Sequence, residues 1–116
     1  MPKGPLERLK KRSEFVKVSQ AGEKQITPAF IIQACHRGDT GPIRYGITAS
    51  RKVGNAVERN RAKRRLRALS WQILPKNGFP GTDYVLIARK EVLKRDFADM
   101  LKELERALVK LHPGKS

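Results

Sequence analysis

The sequence predicts an α+β sandwich, and three observations carry that prediction. Segments rich in strand formers, "AFIIQACH" (29–36), "IRYGITAS" (43–50) and the buried-looking "DYVLIARK" (83–90), alternate with segments of helical periodicity. The order is helix, strands, helix, strand, helix, which suggests three or four strands with helices on one side. Apolar residues make up 39% of the 116, a normal globular share, and a chain of this length can bury a core without disulfides or metal. No repeat, low-complexity tract or linker separates a second domain, so residues 1–116 read as one domain. Residues 1–12 read as a flexible basic N-terminus and residues 112–116 as a flexible tail.

The elements follow in order. "SEFVKVSQAG" reads as a short helix, with Ser13 as N-cap and Gly22 just past its end. "GDTGP" reads as a turn between the first two strands. "GNAVERNRAKRRLRALSWQIL" reads as a helix of about five turns closed by Pro75 and Gly78. Asn55 followed by Glu58 is a capping-box pattern that starts it after Gly54. At ~100° per residue, Ala62, Leu66, Leu69 and Ile73 share one narrow sector, the face expected against the sheet. In the last helix Phe97, Met100, Leu101, Leu104, Leu108 and Leu111 form one apolar stripe, with Asp96 as N-cap.

The charge is abnormal. Lys and Arg number 26 against 11 Asp and Glu, a net +15. Self-repulsion on that scale destabilises the compact state, and an acidic partner relieves it. The charge is concentrated near the N-terminus and in residues 51–67, which hold eight cations and one acid. Arg59, Lys63 and Arg67 form one stripe of the middle helix, and Arg61, Arg64 and Arg65 another, with Asn60 between them. An ordinary solvated helix interleaves acids with its bases, whereas like charges at i,i+4 cost a few tenths of a kcal/mol each. The helix therefore reads as a polyanion-binding surface. A membrane-surface helix needs a wide apolar face; this strip is narrow and the sheet takes it, so nucleic acid is the expected partner. The preference for Arg over Lys suits bidentate phosphate contacts. Phe15, Phe30 and Tyr45 are candidate stacking surfaces for unpaired bases, although aromatics at such positions are more often core.

Other classes find less support. Cys35 stands alone, so neither a disulfide framework nor a Cys-based zinc site is expected. "MPKGPLERLKKRSEF" has no apolar core and does not read as a signal peptide. His36 and His112 read as incidental, and no P-loop, GxSxG or HExxH is present. The chain alone is expected to catalyse nothing. A general RNA-binding or ribosomal-type protein is the rival reading.

The string "RYGITASRKVGNAVERNRAKRRLRAL" (44–69), centred on Arg59-Asn60-Arg61, resembles the bacterial ribonuclease P protein component. "LKKRSEF" near the start and "DYVLIARK" near the end extend the resemblance over essentially the whole chain. It implies a central, mostly antiparallel four-stranded sheet with an N-terminal helix, the basic helix and a C-terminal helix. It also implies a left-handed crossover for the basic helix, which the general handedness rule would not give. The implied function is that of a cytoplasmic subunit pairing with a catalytic RNA that removes the 5′ leader of precursor tRNA. That RNA carries the active site and its magnesium ions. No metal or cofactor is assigned to the chain, and neither a membrane nor a further protein partner is required. By the same resemblance Arg51, Lys52, Asn55, Arg59, Asn60, Arg61, Lys63, Arg64, Arg65 and Arg67 are expected to contact RNA. Phe15 and Phe30, with Lys10, Lys11 and Arg12, are expected at a leader cleft between the first helix and the sheet. Two positions depart from relatives, in which aromatics are frequent: Ser19 on the first helix and Gln33 on a strand.

Overall fold

The computed structural model describes residues 6–113, so the outermost residues of both expected flexible ends lie outside it. The elements are β1 (Leu6–Arg8), α1 (Arg12–Ala21), β2 (Glu23–Ile26), β3 (Phe30–His36), β4 (Ile43–Thr48), α2 (Ala56–Asn77), β5 (Thr82–Ala88), a 3₁₀ turn (Lys90–Leu93) and α3 (Phe97–Leu111). The strands form one five-stranded sheet in the order β1-β4-β5-β3-β2. β1 and β5 run parallel to β4, while β3 is antiparallel to β5 and β2 to β3. The sheet is therefore mixed and five-stranded rather than mostly antiparallel and four-stranded. The extra strand comes from the expected flexible N-terminus, where Leu6 is 5% exposed and pairs with Ile43.

β3 and β4 are strands joined by a turn, as their sequence suggests, but they do not pair. β5 enters between them, so the 37–42 loop has to straddle its start. Arg37 N–H donates to Gly81 O, and Gly81 N–H to Gly41 O, both at 2.7 Å. Gly81 has φ +72°, and a Cβ there would lie 1.9 Å from the Asp39 carbonyl oxygen. Only glycine fits that crossing.

Helices cover both faces of the sheet, not one. α2 and α3 lie over a large core that includes Phe30, Ile32, Tyr45, Leu66, Leu69, Tyr84, Leu86, Met100 and Leu104. On the opposite face α1 covers a small core of Leu9, Val18 and Val85, edged by Phe15, Cys35 and Ile87. Apolar residues thus point both ways along β3 and β5, as in a sheet covered on two sides.

The basic helix starts as its sequence predicts. Asn55 Oδ1 accepts from Glu58 N–H, and Glu58 Oε1 from Asn55 N–H, each at 2.9 Å. Gly54 just before it has φ +152°, and a Cβ there would meet Glu58 Oε1 at 2.2 Å. Pro75 does not close the helix; it sits in the last turn, with Gly78 as the cap. α1 also starts differently from expectation. Its N-cap is Lys11, not Ser13, because the Glu14 carboxylate accepts from the N–H groups of Lys10 and Lys11 at 2.8 and 2.9 Å. α3 has the predicted cap, Asp96 accepting from Ala98 N–H at 2.8 Å. No helix among the described residues is long and apolar enough to cross a membrane.

Candidate nucleic-acid interface

Two hollows meet at Phe15. The first, about 240 Å³, lies between α1 and the sheet and is lined by Arg12, Phe15, Val16, Ser19, Gln33, Thr48, Val85 and Ile87. The second, about 300 Å³, lies between Phe15 and α2. Its walls include Arg8, Tyr45, Gly46, Asn60, Lys63 and Arg67. It opens where β1 has stopped at Arg8 while β4 runs on to Thr48. Phe15 rests directly on Gly46, where a Cβ would come within 2.4 Å of its ring. Any other residue at position 46 would displace the aromatic wall common to both hollows.

The expected leader-cleft residues divide. Phe15 and Arg12 line the α1 hollow, as do Ser19 and Gln33, so both polar departures border it. Phe30 does not: it is 0% exposed and packs in the large core under α2 and α3, on the opposite face. Lys10 and Lys11 are exposed at the start of α1. Lys11 lines a third hollow of about 580 Å³, together with Lys17, Arg37, Arg44 and Asp83.

The cations of α2 divide as well. Asn60, Lys63 and Arg67 face the second hollow, and Arg64 is exposed. Arg59 donates to Gly54 O at 3.0 Å, bracing the loop before the helix. Arg61 and Arg65 reach the other flank, where they donate to Leu93 O at 3.0 and 3.3 Å; Arg65 also donates to Arg95 O at 2.6 Å. They neutralise the carbonyl end of the 3₁₀ turn and tie α2 to the approach to α3. Asn55 is engaged as the helix cap. Arg51 and Lys52 project from a tight turn anchored by Val53, which is 1% exposed.

A buried charge network, unread in the sequence, holds α1 in place. Asp83, 3% exposed, accepts from Arg44 Nε at 2.8 Å and Nη2 at 2.7 Å, and from Arg37 Nη1 at 2.6 Å. Arg44 Nη1 then donates to Glu14 at 3.0 Å. The Lys11 and Lys10 N–H groups, with Arg44 beside them, hold the Glu14 carboxyl below its usual range, against some desolvation. Each member lies on a different segment of the chain, so residue spacing carries no sign of the cluster.

Both histidines are employed in the scaffold. His36 Nδ1 accepts from Gly38 N–H at 3.1 Å. His112, expected in a flexible tail, shares a 2.7 Å hydrogen bond with the Tyr84 hydroxyl. Burial pushes the Tyr84 hydroxyl up to about 12, so it stays protonated over the working range.

This combination, a mixed sheet covered on both faces with a cationic helix beside an aromatic-walled cleft, defines an α+β protein with a surface suited to RNA. Comparison with known proteins specifies the class. The Ribonuclease P family model matches residues 4–112. The ribonuclease P protein component of Ruegeria pomeroyi is 49% identical over 110 residues, covering 92% of this chain and 87% of that one. The same component of Paramagnetospirillum magneticum is 44% identical, covering 89% and 80%. The solved RNase P protein of Staphylococcus aureus superposes with a TM-score of 0.71 at 28% identity, covering 87% and 91%. That of Thermotoga maritima gives 0.69 at 28% identity, covering 86% and 96%. The chain belongs to the ribonuclease P protein family.

Proposed function

We propose that this ribonuclease P protein component binds the catalytic RNA through α2 and its preceding turn, and holds the 5′ leader of precursor tRNA in the hollow under α1. The observation that carries this reading is that the two hollows share Phe15 as a wall. A single strand needs a cationic track for its backbone and flat apolar faces for its bases. Arg12 and Phe15 supply one of each beneath α1, and Asn60, Lys63 and Arg67 continue the polar track along α2. With Ser19 and Gln33 in place of aromatics, the hollow grips the leader more by hydrogen bonds and phosphate contacts than by stacking. The cleavage chemistry belongs to the RNA and its magnesium ions. Added cations offset repulsion between substrate and RNA phosphates and so lower the magnesium needed for binding, in a cytoplasmic complex that requires no other protein.

The test is the affinity of precursor against mature tRNA for the complex of this chain with a bacterial catalytic RNA. The reading predicts a preference for precursor that Phe15→Ala reduces and Arg12→Ala weakens further. Equal affinity for the two tRNAs, with a steep salt dependence, would leave a general RNA-binding protein.

A further inference from the structure

Trp71 is the one tryptophan of the chain, and it stands on α2 outside both apolar cores. Its side chain is 41% exposed. Its single polar atom is turned inward: Nε1 donates to the Tyr45 hydroxyl at 2.9 Å. The two rings meet edge to face, with centroids 6.3 Å apart and planes at 85°. The exposed part of the indole is therefore carbon surface, and the hydrogen bond fixes the ring's orientation. Tyr45 is itself 3% exposed and lines the hollow that Asn60, Lys63 and Arg67 face.

The position on the helix gives this surface a partner. Asn60, Arg64, Arg67 and Trp71 follow one another at intervals of four, three and four residues, the spacing of one helical face. The stripe runs from the amide through two guanidinium groups to an oriented aromatic. Cations that hold phosphates, followed by a flat apolar ring, form the surface on which an unpaired base stacks. A hydrophobic peptide is poorly matched to a ring bordered by Arg67 and Arg64. Trp71 lines neither of the hollows that share Phe15, so the RNA at its end of the stripe is the catalytic RNA that α2 binds, not the leader.

We propose that Trp71 is a stacking platform for an unpaired base of the catalytic RNA, at the far end of the Asn60–Arg64–Arg67 stripe. The inference rests on the reading that α2 binds that RNA. With no other tryptophan present, intrinsic fluorescence reports on this side chain alone. The experiment titrates the full-length protein with the catalytic RNA, and separately with precursor tRNA, following emission and its quenching by acrylamide. It also measures affinity and thermal midpoint for Trp71→Leu and Trp71→Phe. The expected result is a change in emission and protection from acrylamide on binding the catalytic RNA. Trp71→Leu and Trp71→Phe both give up the hydrogen bond to the Tyr45 hydroxyl and should lower the thermal midpoint alike, whereas Leu should lose about tenfold in RNA affinity and Phe should retain most of it. Tight binding that leaves the indole open to acrylamide, with Trp71→Leu at wild-type affinity, overturns the platform while α2 remains an RNA-binding helix. Protection by precursor tRNA alone overturns the assigned occupant. No binding of the catalytic RNA by the wild-type chain overturns the functional reading and the platform together.

Discussion

Phe15 and Gly46 form a matched pair whose fit sets the wall that the two hollows share. The Phe15 ring occupies the space that a side chain at position 46 would need. Gly46→Ala is expected to destabilise the fold by about 1–3 kcal/mol through overpacking, read from urea unfolding. It should also weaken precursor binding while the affinity for catalytic RNA alone is kept. A wild-type urea midpoint would show that the ring moves aside freely. Phe30 is the contrasting aromatic. Buried in the large core, Phe30→Leu should cost about 1 kcal/mol of stability and leave RNA affinity unchanged. The placement of Phe30 was partly legible in advance: residues of opposite parity in a strand face opposite ways, so Phe30 and Gln33 could not both line one cleft. The obscuring feature was that β3 is apolar on both faces, which removes the alternation that normally marks the inner side.

At the scale of elements, α1 is held less firmly than α2. Its apolar core is three buried residues, supplemented by the chain of contacts from Glu14 through Arg44 to Asp83. The Glu14 carboxyl is held below its ordinary value by hydrogen bonds to its charged form. A depressed carboxylate contributes stability above its unfolded pKa and loses it as pH falls through the folded value. Acidification below the ordinary carboxylate range should therefore loosen α1 while the α2–α3 core persists. Hydrogen exchange resolved by residue would detect this as early loss of protection in residues 12–21, and Glu14→Gln should remove the pH dependence there. Uniform loss of protection across all helices would contradict it. Asp83 is the keystone of the network. Asp83→Asn leaves Arg37 and Arg44 without their buried partner, and about 2–4 kcal/mol of stability should be lost, measured by urea unfolding. α2 was readable because its cap, apolar sector and charge pattern are local. Pro75 misled because the helix runs on past it despite the hydrogen bond that Pro75 cannot give to the carbonyl of Trp71; Gly78 N–H, donating to Leu74 O, closes the last turn. β1 and β2 were not readable, since their few residues become strands only through partners elsewhere in the chain.

For the whole molecule, a net charge of +15 is distributed with a purpose that position alone reveals. Arg61 and Arg65 are tied to carbonyls of the 3₁₀ turn and the approach to α3, whereas Lys63 and Arg67 line the second hollow and Arg64 is exposed. Arg64→Ala should accordingly lower the slope of log affinity against log salt by about one, while Arg61→Ala should change that slope less. Equal slopes for both variants would contradict the division. The α+β class was legible in the order of segments along the chain, and the family chiefly in residues 44–69. The mixed sheet, the two-sided covering and the hollow at Phe15 were not, because each depends on which strand enters between which others. The central claim is that this surface brings an RNA catalyst and its substrate together. It is tested most directly by precursor-tRNA cleavage by a bacterial catalytic RNA at low magnesium, with and without the protein. The account predicts strong rescue with a correctly placed 5′ end, impaired by Asn60→Ala even though no charge is removed. Tight, salt-sensitive RNA binding without rescue would contradict it.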